Sequence, residues 1–455
     1  MAYKTIYPYT GETLKEFPNA SDAQLEEVLA GAHALYRDWR QEAPAKRKPV
    51  LHKLADLLRA RKTDLAKTMT YDMGKLLSEA EGEVDLCADI ADYYADHGEE
   101  FMAPSPLKTE AGEAYVLKQA TGVLVAVEPW NFPFYQIMRV FAPNFMVGNP
   151  MILKDASSCP ASAQAFADLV IEAGAPKYSL TNMFIDYKQV EKAIKDPRVA
   201  GVCLTGSERG GAAVAAEAGK ALKKSTMELG GNDAFIILAD ADFDLLKQVA
   251  PNARLYNAGQ VCTSSKRFIV MDNIYDKFVA MMKEAFSKAK LGDPMDPETI
   301  VAPLSSAKAL KKVSSQVQTA VDHGAKVVYG NQPVASKGFF FQPTILTDID
   351  KDNPVFNQEI FGPVASIYKV HSEQEAIDLA NDSSYGLGNT IFGKDTDHAK
   401  KVAAQIETGM SWINSGWASL PELPFGGVKN SGYGRELSQL GFNAFINEHL
   451  VFQPK

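Results

Sequence analysis

Short apolar runs that alternate with helix-like segments constrain this chain more than any other feature. Residues 122–127 are continuously apolar, which is typical of a strand covered on both faces of its sheet. Similar runs occur at residues 151–153 and 201–204, and a helical segment follows each of them. Consecutive strands joined by helices run parallel, so we expect an α/β fold built on a doubly wound parallel sheet.

Local signals also mark individual helices and a second unit. Ser21 and Gln24 have the spacing of a capping box, which predicts the start of a helix. A second helix is expected from the apolar face formed by Leu51, Leu54 and their neighbours. A second α/β unit begins near residue 235 and extends to about residue 419. The 455 residues therefore suggest two or three domains.

Composition excludes several classes of function. The net charge of −9 argues against nucleic acid or an anionic membrane as a partner. No apolar run approaches the roughly 18 residues of a membrane span, and the first residues lack a signal-peptide pattern. Four dispersed cysteines form no C-x-x-C pair, so we expect neither a disulfide framework nor a metal site. A cytoplasmic protein that acts on a small molecule is the expectation.

Cys262 is the candidate nucleophile. It follows Gly259, which permits a tight turn, and small polar residues come after it. A thiolate on such a loop is both a strong nucleophile and a good leaving group, as acyl chemistry requires. A lone cysteine is more often a small buried packing residue, and we assign that role to Cys87, Cys159 and Cys203.

Two further residues suit the same chemistry. Glu228 has apolar neighbours and two glycines after it, so partial burial would raise its pKa and make it a general base. Asn131 directly follows the strand at 122–127, where open α/β sheets bind ligands, and its amide could donate to an oxyanion. The ordinary alternatives are a surface ion pair for the glutamate and a turn for the asparagine.

A simple dinucleotide fingerprint is absent from the sequence, since no G-x-G-x-x-G follows a strand. The nearest phosphate-binding candidate is the stretch 204–211, which leads from a strand into a helix whose N-terminus could face a pyrophosphate. A glycine-containing turn of this kind is equally compatible with an ordinary strand–helix connection.

Taken together, seven segments resemble the aldehyde dehydrogenase superfamily, in the family's order and over nearly the whole chain. They are residues 129–133 (PWNFP), 153–157 (LKDAS), 205–207 (TGS), 228–231 (ELGG), 259–262 (GQVC), 359–363 (EIFGP) and 424–432 (PFGGVKNSG). One such motif would be weak evidence, but seven in order are very specific.

The resemblance implies a three-domain subunit that assembles as a homodimer or homotetramer. The expected boundaries are a cofactor-binding domain at 1–106 and 124–230, a catalytic domain at 231–419, an oligomerisation arm at 107–123 and 438–455, and a segment at 420–437 that returns to the active-site rim.

The resemblance also implies a mechanism. Cys262 attacks the aldehyde, Asn131 and the Cys262 N–H hold the oxyanion, hydride passes to a nicotinamide, and Glu228 activates the water that releases a free acid. Lys154 is expected at the adenosine ribose and Trp130 in the same cleft. The remaining cofactor contacts are Thr205, Gly206, Ser207 and Gly211 near the pyrophosphate and Glu359 and Phe361 near the nicotinamide ribose.

Ser157 bears on the choice of cofactor. Strongly NAD-selective relatives have a glutamate there, which would repel a 2′-phosphate, whereas serine does not. With Lys154 nearby, NADP is expected to be preferred and NAD is the alternative. Asp155 departs from the family pattern, and its charge could weaken the preference. Residues 181–187 depart from it too.

Arg139 bears on the substrate. The succinate-semialdehyde dehydrogenases of the family have an arginine here that binds the distal carboxylate, and a hydroxyl corresponding to Ser419 assists it. Tyr256 stands where some of these enzymes have a second arginine. Arg139 could instead pair with an acidic residue of the protein. The sequence is also compatible with broader or different specificity, such as for glutarate semialdehyde, and with a non-catalytic relative.

Overall fold

The computed structural model describes residues 2–40 and 42–455 of the chain. The helices in this part of the chain are α1 Asp22–Trp39, α2 Lys48–Ala60, α3 Lys62–Met73, α4 Leu77–Met102, α5 Tyr135–Val147, α6 Pro160–Glu172, α7 Tyr187–Lys195, α8 Glu208–Lys220, α9 Phe243–Leu255, α10 Asp272–Lys288, α11 Ala307–Asp322, α12 Glu373–Asn381, α13 Thr396–Ala403 and α14 Ser438–Phe442.

The strands are β1 Tyr3–Tyr7, β2 Glu12–Phe17, β3 Ser105–Leu107, β4 Gly112–Ala120, β5 Val123–Val127, β6 Met151–Lys154, β7 Leu180–Asn182, β8 Val199–Thr205, β9 Lys224–Glu228, β10 Ala234–Ile237, β11 Arg267–Met271, β12 Lys326–Tyr329, β13 Thr344–Thr347, β14 Val364–Val370, β15 Tyr385–Gly386, β16 Gly388–Phe392, β17 Met410–Ile413, β18 Val428–Lys429, β19 Gly432–Tyr433 and β20 Ile446–Pro454. A short antiparallel pair, β1–β2, begins the chain.

The first large sheet has the order β19–β9–β8–β5–β6–β7, and its strands are parallel except for β19. Helices α1, α7 and α8 cover one face, and α2 to α6 cover the other. The predicted doubly wound parallel sheet is confirmed. Its strand order reverses between β5 and β8, the place where such sheets bind ligands.

The sequence signals for this unit correspond to real elements. The apolar run at 122–127 forms β5, and the side chains of residues 123–126 are fully buried. Ser21 caps α1 by accepting from the Gln24 N–H, and the Gln24 side chain accepts from the Ser21 N–H in return. This reciprocal capping satisfies N–H groups that lack a partner at the start of the helix.

The second large sheet has seven strands in the order β12–β13–β14–β11–β10–β16–β17. All neighbours are parallel except the β12–β13 pair. Phe235 lies at its centre, with its ring centroid 4.9 Å from that of Phe392 and 5.2 Å from that of Phe268. Aromatic packing therefore joins three neighbouring strands into the core of this unit.

The two sheets meet through loops. The loops after β5 and β9 in the first sheet contact the loops that precede β11 and β14 in the second. For example, the Asn131 amide after β5 donates to the Gln260 carbonyl at 3.1 Å. The Gly231 N–H after β9 donates to Glu359 at 3.1 Å. Residues that follow strands of one sheet therefore come together with residues that precede strands of the other.

A three-stranded antiparallel sheet, β20–β4–β3, projects from this body and corresponds to the predicted arm. Three of its predicted boundaries differ from the observed elements. Residue 123 belongs to β5, and residues 105–106 belong to β3. Residues 438–442 form α14, which packs on the first unit. The Tyr94 hydroxyl of α4 donates to the Ser438 carbonyl at 3.0 Å.

The segment at 420–437 contributes a strand to the first large sheet. Its strand β18 pairs with β15, and β19 pairs with β9 directly opposite Glu228. No helix among the described residues is long and apolar enough to cross a membrane. In the same part of the chain, no group of histidine, cysteine and carboxylate side chains is arranged to hold a metal ion.

Candidate active site

A cavity of about 180 Å³ opens beside Cys262 where the two sheets meet. Its walls combine aromatic rings with a few polar groups, which is the usual composition of a small-molecule site. The lining residues include Phe132, Tyr135, Arg139, Tyr256, Trp417 and Ser419. The three predicted substrate residues, Arg139, Tyr256 and Ser419, thus lie on one cavity with the predicted nucleophile.

The loop that carries Cys262 is tightly constrained. Asn257 and Ala258 have left-handed backbone conformations, with φ of 50° and 52°. Gly259 follows at φ 75°, and a β-carbon there would lie 2.3 Å from the Gly362 carbonyl oxygen. Only glycine fits at this position, because both the conformation and the space exclude a side chain. The loop is therefore pressed against residues 359–363.

The Cys262 thiol is half-buried, whereas the other three cysteines are fully buried. Burial raises its pKa to about 11, although the positive charges of Lys266 and Arg139 lower it. The resting sulfur is therefore protonated near neutral pH and needs a base to become a nucleophile. Burial also raises the pKa of Cys87, Cys159 and Cys203, which fits their predicted packing role.

Asn131 lies next to the nucleophile loop. One N–H of its side-chain amide donates to the Gln260 carbonyl at 3.1 Å, and its main-chain carbonyl accepts from the Asn257 side-chain amide at 2.9 Å. A primary amide has two N–H groups, so the second remains available to a ligand oxygen. The hydrogen bonds fix the side chain beside the loop on which Cys262 stands.

Glu228 is the last residue of β9, and its carboxyl is almost completely buried. Neither oxygen has a hydrogen-bond partner among the described residues. Burial raises the pKa of this carboxyl well above its ordinary value, the Glu436 charge adds to the shift, and Arg139 opposes it. Gly426 leaves room for the carboxyl, because a β-carbon there would lie 2.7 Å from the Glu228 Oε1.

Glu228 and Cys262 share neighbours in the fold. Three residues after Glu228, a β-carbon on Gly231 would lie 2.6 Å from the Cys262 carbonyl oxygen. The positive charge of Arg139 acts on the pKa of both groups. A buried carboxyl with a raised pKa is chemically suited to accept a proton from a thiol.

Arg139 is held by an acidic residue of the protein, the alternative that the sequence left open. Its Nε forms a close ion pair with Glu436, and one terminal nitrogen donates to Thr205 at 3.1 Å. Burial disfavours the Arg139 charge, yet Glu436 and Tyr135 outweigh that effect and raise the pKa. Its other terminal nitrogen, Nη1, has no partner in the described chain. Arg139 Nη1 is therefore available to donate to a ligand.

Sequence reasoning missed Tyr135 and Glu436. The Tyr135 hydroxyl lies 2.6 Å from the Ser419 hydroxyl, and its ring centroid lies 5.0 Å from the Arg139 guanidinium. Tyr135 precedes Arg139 by four residues on α5, so helical spacing could have indicated their common face. Glu436 has no such signal, because only the tertiary fold brings it to Arg139.

Another buried carboxylate holds the helix that carries Arg139. Glu83 of α4 accepts hydrogen bonds from the N–H groups of Phe134 at 2.8 Å and Tyr135 at 3.0 Å, where α5 begins. A negative charge at a helix N-terminus is favourable because the helix dipole is positive there. Lys75 forms a close ion pair with Glu83 and balances the charge.

Three aromatic rings form the wall opposite Arg139. The Tyr256 ring stacks on Phe132 at 6.4 Å between centroids, and Trp417 meets Tyr256 edge-on at 5.3 Å. Burial raises the Tyr256 pKa well above its ordinary value, so the hydroxyl stays neutral. Tyr256 therefore contributes an apolar face and a neutral hydroxyl, without a positive charge.

Lys154 and Asp155 lie at the end of β6. The Lys154 ammonium donates to the Asp155 carbonyl at 2.9 Å, between the rings of Tyr3 and Tyr187. Burial raises the Asp155 carboxyl pKa well above its usual range. Burial thus favours the neutral form of this carboxyl and reduces the weight of the expectation that its charge weakens binding of a 2′-phosphate. Ser157 is half-buried nearby.

The turn at 205–207 leads into α8, which Ser207 caps by accepting from the Gly210 N–H at 3.3 Å. A β-carbon on Gly206 would touch only the Leu204 side chain, at 3.5 Å, so a phosphate can approach the backbone there. Gly211 is predicted near the pyrophosphate, and the structure shows a packing contact at this position. It is buried, and a β-carbon there would lie 2.5 Å from Leu229. This glycine serves helix packing.

Glu359 and Phe361 lie on the loop that faces Cys262. The Glu359 carboxylate accepts from Gly231 at 3.1 Å, and the Phe361 ring meets Trp130 edge-on at 5.7 Å between centroids. Together with Lys154 and the open turn at Gly206, these groups fit a dinucleotide that runs along the edge of the first sheet. A helix N-terminus, a lysine and a carboxylate match its phosphates and ribose hydroxyls.

Comparison with known proteins gives a consistent result. The model of the aldehyde dehydrogenase family matches residues 1–451. The chain is 46% identical to the succinate-semialdehyde dehydrogenase [NADP(+)] of Deinococcus radiodurans, over 99% of this chain and 94% of that protein. It is 42% identical to the Mycobacterium avium protein of the same name, over 99% of this chain and 97% of that one.

A solved structure is similar over the full length. The succinic semialdehyde dehydrogenase of Streptococcus pyogenes, crystallised in complex with NADP+ as the cofactor, is 63% identical. The two structures match with a TM-score of 0.99 over 100% of both chains.

Proposed function

The chain belongs to the aldehyde dehydrogenase family, and we propose that it oxidises succinate semialdehyde to succinate with NADP as hydride acceptor. The observation that carries the proposal is the cavity beside Cys262, which has the Arg139 guanidinium and the Ser419 hydroxyl on its wall. The names of the relatives in Deinococcus radiodurans and Streptococcus pyogenes support the same substrate and cofactor.

The cavity suits a short aldehyde with a distal carboxylate. Its volume of about 180 Å³ accommodates a four-carbon chain between the sulfur and Arg139. The free Nη1 of Arg139 would donate to the carboxylate, and the paired hydroxyls of Tyr135 and Ser419 would add a neutral donor. Hydrogen bonds from a guanidinium to a carboxylate are among the strongest that proteins make.

The proposed reaction uses the residues in sequence. Glu228 accepts the Cys262 proton, directly or through water, and the thiolate attacks the aldehyde carbon. Asn131 and the Cys262 N–H stabilise the oxyanion of the thiohemiacetal. Bound NADP supplies the hydride acceptor for its oxidation to a thioester. Glu228 then passes that proton to solvent and accepts one from the attacking water, and hydrolysis releases succinate with the Cys262 sulfur as the leaving group.

The raised pKa of Glu228 suits this double role. A general base is most efficient when its pKa lies near the working pH, and burial moves the pKa of the Glu228 carboxyl upwards from its ordinary value. The absence of hydrogen-bond partners within residues 2–40 and 42–455 leaves both oxygens free to receive a proton. The Cys262 pKa of about 11 makes such a base necessary.

The preference for NADP follows from the end of β6. Ser157 offers no negative charge to a 2′-phosphate, and Lys154 offers a positive one. Burial raises the pKa of the Asp155 carboxyl, which reduces the opposition of its charge. NAD remains the alternative cofactor, since nothing at this end of the site requires a 2′-phosphate.

We assign the first unit to cofactor binding, the second to catalysis and the sheet β20–β4–β3 to assembly as a homodimer or homotetramer. Strand β20 is an edge strand of its sheet, with Leu450 and Phe452 exposed on it. Exposed edges and apolar side chains of this kind favour pairing with another chain.

The experiment is a panel of aldehydes with and without a distal carboxylate, each assayed with NADP and with NAD. Succinate semialdehyde with NADP is expected to have the highest kcat/KM. Arg139→Ala should lower kcat/KM for succinate semialdehyde about 100-fold more than kcat/KM for neutral aldehydes of similar length, since only the former loses a buried charge-assisted contact. Equal losses for both classes, or a clear preference for glutarate semialdehyde, would contradict the assignment. Higher efficiency with NAD would contradict the cofactor.

A further inference from the structure

Lys266 is a buried cation behind the nucleophile for which the proposed reaction has no use. It directly precedes β11, four residues after Cys262, and is only 2% exposed. A lysine is almost never buried so completely without specific partners, because its ammonium loses hydration. The contacts of the Lys266 ammonium therefore indicate its role.

The Lys266 ammonium makes two hydrogen bonds and an ion pair, all within the protein. It donates to the Val261 carbonyl at 2.8 Å and closely to the Cys262 carbonyl, and it lies 3.4 Å from Glu359 Oε1. It is not among the residues that line the cavity beside Cys262. Lys266 thus acts on the protein.

The bond to Val261 determines where the Cys262 N–H points. The Val261 carbonyl and the Cys262 N–H belong to one planar, trans peptide unit, so they face in opposite directions. When Lys266 draws the carbonyl towards the protein interior, the N–H is turned to the other side of the loop. That N–H is one of the two donors proposed for the oxyanion.

We propose that Lys266 is a positioning residue for the nucleophile: it orients the peptide that carries the Cys262 N–H and provides the positive charge that favours the thiolate. The proposal rests on the proposed function in that Cys262 is taken as the nucleophile. Through Glu359, the same ammonium ties this peptide to the carboxylate that is proposed to hold the nicotinamide ribose.

The charges around the site support this role. Lys266 lowers the Cys262 pKa more than any other charge does, and Arg139, which is second, is already paired with Glu436. Glu359 and Asp233 act in the opposite direction. The Asp233 pKa is itself raised to about 7 by burial, so this carboxyl is only partly charged near neutral pH.

The test measures the rate of Cys262 alkylation by iodoacetamide as a function of pH, without substrate or cofactor. Lys266→Met keeps the length of the side chain and removes the charge. It should raise the thiol pKa by about one unit and slow alkylation near neutral pH roughly tenfold, since the reactive species is the thiolate. Lys266→Arg keeps the charge and should react within about threefold of the wild type.

Glu359→Gln supplies a prediction of opposite sign. It removes a negative charge that raises the Cys262 pKa, so alkylation should become faster. The variant keeps Lys266 and so remains informative if Lys266→Met does not fold. Lys369 is an exposed lysine on β14, so Lys369→Met is the matched control, and its alkylation rate should equal that of the wild type. Cys262→Ser gives the background from other thiols.

An unchanged pH profile in Lys266→Met, or slower alkylation in Glu359→Gln, would overturn the proposal. Because alkylation needs neither aldehyde nor NADP, this result is independent of the substrate assignment. A protein that fails to oxidise succinate semialdehyde but shows these shifts would keep the role of Lys266 and lose the proposed substrate.

Discussion

Arg139 and the carboxyls around it form a cluster of buried ionisable groups. Glu436, Glu228 and Glu128 are all buried, and each has a raised pKa for which burial is the largest cause. One guanidinium cannot compensate three buried carboxylates, so their neutral forms are favoured more than in water. The ion pair with Glu436 therefore affects how strongly the Arg139 charge lowers the Glu228 pKa.

Replacement of Glu436 by glutamine should move the pH dependence of turnover. Glu228 must be ionised to act as a base, so activity rises as the pH increases through its raised pKa. Glu436 raises that pKa and Arg139 lowers it. Removing the Glu436 charge also frees Arg139, so both changes lower the Glu228 pKa. The acidic limb of kcat should shift to lower pH by about one unit.

The measurement is kcat as a function of pH for wild type and Glu436→Gln with saturating substrates. Glu407→Gln is the control, because Glu407 is an exposed partner of Lys429 at the surface. A limb that moves to higher pH, or does not move, would refute the coupling between Glu436 and Glu228.

Arg254 is a second fully buried arginine, and it has a structural role. Its guanidinium donates to the carbonyls of Val364 at 2.5 Å and Ile360 at 2.6 Å, to Ser264 at 2.9 Å and closely to Gly362. Arg254→Met should lower the free energy of unfolding by about 3 kcal/mol, because several buried acceptors lose a charged donor. Chemical denaturation measures the change.

A control separates this effect from the loss of any arginine. Arg61 makes an exposed ion pair with Glu172, and Arg61→Met should change stability by under about 1 kcal/mol. Equal effects of the two substitutions would contradict the role given to Arg254.

The sequence identifies candidate residues where a short segment carries the signal. Cys262, Asn131 and Glu228 stand in compact motifs, and the Asn131 side chain contacts the loop before Cys262 in the fold. The pairing of Arg139 with Glu436 could not be derived, since it joins remote parts of the chain. Gly211 is predicted near the pyrophosphate, and its motif does not reveal the close contact with Leu229.

At the scale of elements, α8 must pack closely against the loop after Glu228. Gly211→Ala would place a β-carbon 2.5 Å from Leu229 and push this loop away. We expect a loss of about 1–3 kcal/mol in the free energy of unfolding, typical of overpacking, and a higher KM for NADP. Gly219→Ala on the same helix meets nothing within 4 Å and should be neutral or slightly stabilising.

Both variants are compared by thermal denaturation and by cofactor titration of the rate. If Gly211→Ala and Gly219→Ala behave alike, α8 does not depend on the contact with Leu229. A stability loss without any change in the KM for NADP would separate packing from cofactor binding.

The existence of elements followed from periodicity, and some boundaries did not. The run at 122–127 identified β5 because a parallel strand is apolar on both faces. Helix α14 has five residues, too few to show a periodic face, so it was assigned to the arm. The arm boundary at 123 was wrong because β4 and β5 are separated by two residues.

At the scale of the molecule, the site lies where loops of the two large sheets meet. The small sheet β20–β4–β3 is separate from both. Leu450 and Phe452 of β20 are 58% and 47% exposed. Replacing both with aspartate should dissociate the proposed oligomer, because charges on an apolar contact oppose its burial. Sedimentation velocity measures the change.

Leu14→Asp on β2 is the control, since this leucine is also exposed but lies on a different sheet. An oligomer that survives the double substitution in β20 would contradict assembly through this sheet. A monomeric wild-type protein would contradict assembly altogether.

The most direct test of the proposed mechanism is the covalent intermediate on Cys262. Glu228→Gln, mixed with succinate semialdehyde and NADP, should slowly release one equivalent of NADPH per active site and then stall, because the thioester forms and water is not activated. Mass spectrometry of the quenched protein should find a succinyl group on Cys262. Continued turnover at the wild-type rate, or an acyl group on another residue, would contradict the mechanism.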